Sequence, residues 1–155
     1  MADELLPPTT VDGWHRWQAV EANQAAMALL DEAHPDPRAL LRGAYAAAYH
    51  WDRVPTKQPV NEVRALYLIG KAWAKVGEYA VALSYSRRVL DACAADAIVD
   101  FDLAYAHELH ARALLGLGCR AEALDAVRAA RSVPVADPED AAWVARDLAD
   151  LPAIE

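Results

Sequence analysis

The residues with the greatest capacity for chemistry fall in two short stretches, Tyr49-His50-Trp51 and Asp100 to His110, the second holding Asp100, Asp102, His107, Glu108 and His110. A histidine beside a carboxylate is the usual material for general acid–base work, because the imidazole titrates near neutral pH. If the two stretches met in a pocket, His50 would be the acid or base. Asp102 or Glu108 would orient it, and Arg64 would hold an anionic group of a small substrate. Simpler roles compete with each of these. Asp100 has a sufficient reason to exist as the cap of a helix, and Asp102 as a first-turn acid facing the helix dipole. His107 and His110 fall at packing positions, where a hydrogen-bonded core histidine is the commoner outcome. Tyr45, Tyr49, Tyr67, Trp73 and Tyr105 could line a cavity, although core packing with a polar tip at the edge is the more frequent use of such residues.

Other chemistries lack the residues they need. His107 and His110 with Glu108 between them, and Asp31 with His34, are not recognised metal motifs, and the paired Glu-x-x-His elements of a di-metal bundle site do not occur. Cys93 and Cys119 lack CxxC spacing and read as small buried hydrophobes. There is no GxGxxG, P-loop, GxSxG or HExxH. Neither a metal nor a cofactor is therefore expected. A formal net charge of −8 argues against general affinity for a nucleic-acid backbone. No uncharged apolar run is long enough to span a bilayer, and the acidic start MADELLPP lacks the basic region of a leader. The expectation is a cytoplasmic protein with no nucleic-acid or membrane partner.

Helices must position these side chains. The hydrophobic content of 55% is mostly aliphatic, with a single Phe and six Gly in 155 residues, which favours helix over strand and suffices for one buried core. The nine prolines fall between helical patterns. The spacing predicts a first helix from about Asp12 to Asp31, its apolar stripe interrupted at Asn23 and Gln24, with Trp14 and Trp17 closing it onto the second. Asp36 and Pro37 start the second, which runs through Trp51. After a loop from Asp52 to Val60, Asn61 caps a third helix from about Glu62 to Val76. Gly77 separates it from a fourth, about Glu78 to Ala94. Asp100 or Asp102 opens the fifth, about Phe101 to Leu117, and Gly118 separates that from the sixth, about Arg120 to Ser132. Asp137 and Pro138 open a seventh that reaches about Leu148.

Gly77 and Gly118, 41 residues apart, mark an internal repeat. Gly70, Ala72, Gly77, Ala82, Leu83 and Tyr85, with Trp73 in an aromatic position, resemble the tetratricopeptide signature of a small residue in helix A, a turn glycine and a small–large pair in helix B. Ala111, Ala113, Gly118, Ala123 and Leu124 take the same places in a second copy, where His107 and His110 replace large apolar residues. The resemblance covers roughly residues 62 to 132. YHW at Tyr49 to Trp51 together with DFDLAYAHELHAR at Asp100 to Arg112 also resembles short bacterial proteins of this kind, a likeness that adds fold and no chemistry.

The resemblance implies an all-α, TPR-like array of three antiparallel helical hairpins plus a C-terminal capping helix, in one domain spanning residues 1–155 with a flexible N-terminus over 1–11. It further implies binding along the concave face of the A helices. Mapped onto this sequence, that face carries Arg64, Tyr67, Lys71 and Lys75 from the third helix and Tyr105, Glu108 and Arg112 from the fifth, with Tyr49 as a further contact. The family's clamp for a peptide C-terminal carboxylate is not expected, since its asparagines are missing and Glu108 would repel the group. The alternative role for these charges is local pairing. Asn61 to Leu90 holds five basic and two acidic residues while Asp91 to Ala111 holds five acidic residues and neither Lys nor Arg, so neighbouring hairpins are complementary. The leading expectation is a small interaction module that binds a peptide, a partner protein or a second copy of itself. The alternative is a small-molecule-binding protein or enzyme using His50, Asp102 and Glu108 in a pocket between the second, third and fifth helices, under the Asp52–Val60 loop.

Overall fold

The computed structural model describes residues 10–152. It is all-α, with seven helices and no strand among the described residues: α1 (Val11–Asp31), α2 (Pro37–Trp51), α3 (Pro59–Lys75), α4 (Tyr79–Ala95), α5 (Asp100–Gly116), α6 (Arg120–Ser132) and α7 (Pro138–Ala149). Of the N-terminal segment expected at 1–11, residues 1–9 lie outside the described residues. Thr10 caps α1, its hydroxyl accepting from the Gly13 N–H at 3.1 Å, and Val11 is already helical. None of the helices is long and apolar enough to cross a membrane.

Local chemistry sets several of the helix ends. Asp36 and Asp137 each precede a proline and accept from backbone N–H groups in the first turn, at 3.0 Å from Arg38 and 2.7 Å from Glu139. Gly77 and Gly118 both have positive φ, 86° and 77°. Past each glycine the chain closes the helix with the same long bond, Glu78 N to the Trp73 carbonyl at 3.0 Å and Cys119 N to the Leu114 carbonyl at 2.9 Å. The two ends of the 41-residue period therefore have the same hydrogen-bond pattern.

Two starts differ from expectation. The third helix begins at Pro59, not after Asn61, because proline tolerates the first helical position where its missing donor is not needed. Asn61 instead sits one turn in, and its Oδ1 accepts from the Gln58 N–H at 2.8 Å. At the start of α5, Asp100 has a left-handed φ of 64° and does not act as a simple cap. Its Oδ1 takes the Phe101 N–H at 2.8 Å and the Ala136 N–H at 3.2 Å, which ties this turn to the segment before α7.

The helices pack in sequence order, α1 on α2, α3 on α4 and α5 on α6, while α1, α3, α5 and α7 also touch one another in series. Three apolar cores lie between them. Ala26, Leu40, Ala44, Leu68 and Ala72 join α1, α2 and α3. Val63, Leu66, Ala82, Val89, Ala106 and Leu109 join α3, α4 and α5. Ala111, Leu114, Ala123, Val127, Val144 and Leu148 join α5, α6 and α7. The many alanines let backbones approach closely. At Gly70 and Gly116 even a methyl group would collide, with the Leu109 side chain at 2.7 Å and the Tyr79 ring at 2.1 Å.

Candidate functional site

Because α1, α3, α5 and α7 lie in series, residues repeating every three or four positions along them open onto a common groove of about 980 Å³. The third helix contributes Arg64, Tyr67, Lys71 and Lys75, and the fifth Tyr105 and Arg112. Asn23 and Met27 come from α1, and Trp143, Arg146 and Asp147 from α7. The last two groups were missed by sequence reasoning. Asn23, which breaks the apolar stripe of α1, and the spacing of Trp143, Arg146 and Asp147 were the available signals.

Glu108 lies beneath the groove and is fully buried. A carboxylate removed from water costs several kcal/mol unless its oxygens are paired and hydrogen-bonded. Lys71 Nζ donates to both oxygens, at 3.0 and 2.9 Å, and Arg112 Nε donates to Oε1 at 2.7 Å. Lys71 is itself only 17% exposed, and this burial pushes its ammonium below the ordinary lysine range while Glu108 opposes the shift. Arg112 also reaches toward the Asp147 carbonyl at 3.5 Å. The Asp147 carboxylate accepts from the Tyr105 hydroxyl at 3.1 Å and from Arg146 at 2.9 Å. Burial pushes both the Tyr67 and Tyr105 phenols up, and nearby Glu108 and Asp147 add to the shift, so both remain hydroxyl donors.

Toward the other end, Arg64 grips Asp102 with two bonds, Nε to Oδ1 at 2.8 Å and Nη2 to Oδ2 at 3.0 Å, and lies over the Phe101 ring. Arg146 stacks on Trp143 at 4.0 Å from the ring centroid. The basic surplus of α3 thus meets the acidic surplus of α5 side chain to side chain.

The catalytic candidates do not come together. Asp102 is held by Arg64, and Glu108 by Lys71 and Arg112. His50 faces His15 of α1, their Nδ1 atoms 2.9 Å apart, so one imidazole donates and the other accepts. Burial lowers the His50 pKa, with His15 and Arg53 adding to the effect, and no carboxylate bonds to it among the described residues. Tyr49 is also away from the groove, 52% exposed with the Arg53 guanidinium 3.5 Å above its ring. No residue of the Asp52–Val60 loop lines the groove. The reason is that Tyr49 and His50 belong to α2, no residue of which lines the groove. His110 is a half-buried histidine held by one hydrogen bond. Ser86 Oγ spends its proton on the Leu83 carbonyl at 2.8 Å, so it accepts from His110 Nδ1–H at 2.8 Å. His107 is half-buried, which lowers its pKa. Among the described residues no three His, Cys, Asp or Glu side chains assemble as metal ligands.

This chain matches no protein-family model, no curated protein and no solved structure.

Proposed function

We propose that this protein is a small tetratricopeptide-like interaction module, cytoplasmic and bacterial, that binds a peptide or partner protein through the face made by α1, α3, α5 and α7. One observation carries the reading. Residues of four helices separated by up to 124 positions in sequence, from Asn23 to Asp147, converge on one groove that mixes stacked cations and aromatics with an apolar wall of Met27, Leu30 and Leu115. That mixture suits an extended segment, whose backbone needs polar partners and whose side chains need apolar contact. The pairing of successive helices and the matched ends at Gly77 and Gly118 support the tetratricopeptide-like description.

The test is selection of displayed peptides on the immobilised full chain, followed by binding to two variants. Met27→Glu with Lys75→Glu alters groove residues that hold no buried charge, and Arg128→Glu alters a position outside the groove. Selected peptides should lose at least about tenfold affinity for the groove variant, or roughly 1.4 kcal/mol, and keep it for Arg128→Glu. Peptides that ignore the groove variant and fail on Arg128→Glu would overturn the assignment.

A further inference from the structure

A second surface lies away from the groove, and we infer that it docks an acidic segment of a partner protein, whose carboxylates meet Arg42, Arg53, Arg88 and the phenol proton left over between Tyr45 and Tyr85. Positions 42, 45, 49 and 53 follow one another at steps of three and four residues, so the first three share one face of α2 and Arg53 continues it past the helix end. Contacts join this stripe to α4. The Arg53 guanidinium sits 3.5 Å over the Tyr49 ring, the Tyr45 and Tyr85 hydroxyls are 3.0 Å apart, and Arg88 lies 4.9 Å over the Tyr85 ring. All but Tyr85 are exposed, and none of them lines the groove.

One hydroxyl donor is left free by the hydrogen bonds within the surface. Trp73 Nε1–H donates to the Tyr45 oxygen at 3.0 Å, and the bond between the two hydroxyls uses one of their two protons whichever ring donates. The other proton has no acceptor among the described residues. Burial and the Tyr45 contact push the Tyr85 phenol up, so it stays a donor. The charges are free as well. Together α2 and α4 hold four arginines against one acid, Asp91, and Asp52 beside Arg53 is held by Lys57. None of Arg42, Arg53 and Arg88 joins an ion pair among the described residues, in a chain whose net charge is −8. An acidic segment is the complement of this patch. Stacking on tyrosine holds Arg53 and Arg88 in place, while N–H groups at the guanidinium edges stay open to carboxylates. Tyrosine and arginine are also the residues that most often dominate the energy of a protein interface. Single-stranded nucleic acid fits less well, because Arg53 and Arg88 occupy ring faces on which bases would stack and the net charge repels a continuous polyanion. From Arg42 to Arg53 is about 16 Å along the helix, which an extended segment spans in about five residues.

A peptide of about ten glutamates is the probe, titrated into the full chain while the Trp73 Nε1–H signal is followed by NMR, since its acceptor Tyr45 belongs to the surface. A saturating shift is expected, with a dissociation constant on the order of 0.1–1 mM that rises at least about fivefold between about 50 and about 500 mM salt. Arg53→Ala with Arg88→Ala removes two cations and no ion pair, so the chain stays folded and binding weakens about tenfold. Arg42→Ala alone weakens it about two- to threefold. Tyr85→Phe leaves the Tyr45 proton free instead, and affinity stays within about twofold. Met27→Glu with Lys75→Glu changes the groove and leaves binding of this probe within about twofold. A non-saturating shift, or equal affinity in the double arginine variant, overturns the docking surface, as does a loss on the groove variant in its place. Tighter binding of a thymidine strand of about ten nucleotides than of the peptide would make this a nucleic-acid surface. A dimer in sedimentation that Arg53→Ala with Arg88→Ala dissociates would make the occupant a second copy. Either result overturns the acidic-segment assignment.

Discussion

Glu108→Gln is the sharpest test of the energetics beneath the groove. The substitution keeps the side-chain shape and one acceptor oxygen but removes the charge that holds Lys71 and Arg112, which then face each other across a neutral amide. Stranding a buried charge by deleting its partner costs about 3–5 kcal/mol. Lys71 and Arg112 keep 17% and 25% exposure, through which water partly compensates, so the lower end of that range, about 3 kcal/mol, applies. A domain of this size typically has roughly 5–15 kcal/mol of stability, so the variant should remain folded. At roughly 2–4 °C per kcal/mol, the midpoint of thermal unfolding should drop by about 6–12 °C. Urea denaturation with an unchanged slope would give the same loss directly. Adding Lys71→Met removes one of the stranded cations, so the double variant should be less destabilised than the sum of the singles, with a coupling of at least about 1 kcal/mol. A loss below about 0.5 kcal/mol, the usual result for an exposed pair, would mean that the cluster is hydrated and that the burial argument fails.

Further outcomes can be checked by the same denaturation measurements. Gly116→Ala places a methyl group 2.1 Å from the Tyr79 ring and should cost about 1–3 kcal/mol through overpacking. Gly118→Ala meets no neighbour but forces an L side chain into a φ of 77°, so about 1–2 kcal/mol is expected, with Gly118→Asn recovering part of it. Asp102→Asn should cost no more than about 1 kcal/mol, because Arg64 is 53% exposed and its ion pair is screened. Burial lowers the pKa values of His107 and His110, and burial with His15 and Arg53 lowers that of His50. Between those lowered values and the unfolded value of about 6.5, the unfolded chain binds more protons, so stability rises with pH across this window and falls as acid is added. The urea midpoint should therefore decline from about pH 7.5 to about pH 5.5, and His107→Gln should flatten that decline.

The elements were legible wherever a few neighbouring residues suffice to define them. Asp36-Pro37, Asp137-Pro138, Gly77 and Gly118 give helix ends within a residue or two of those observed. The start of α3 was not, since Gln58-Pro59 and Asn61 offer two competing starts and the earlier one adds a turn of helix. Arg64, Tyr67, Lys71, Tyr105 and Arg112 were readable as one face because three- and four-residue spacing is itself a helical geometry. His50, expected in a pocket with Asp102 or Glu108, and Tyr49, expected as a further contact, lie off the groove because a local clustering of reactive residue types carries no information on which helices meet.

By itself, then, the sequence determined the seven helices of the described residues, the caps at Asp36 and Asp137 and the residues sharing each helical face, because these follow from bonds spanning about four residues. Only the tertiary structure decided which charges meet. Glu108 joins Lys71 from 37 positions away, Asp102 joins Arg64 from 38, and His50 joins His15 from 35. Such pairings depend on the rotation and depth at which whole helices pack, and those are set by small side chains such as Gly70, Ala72 and Ala106 that carry no chemistry of their own. The same packing turns Glu108 from a candidate catalyst into a buried anchor for Lys71 and Arg112.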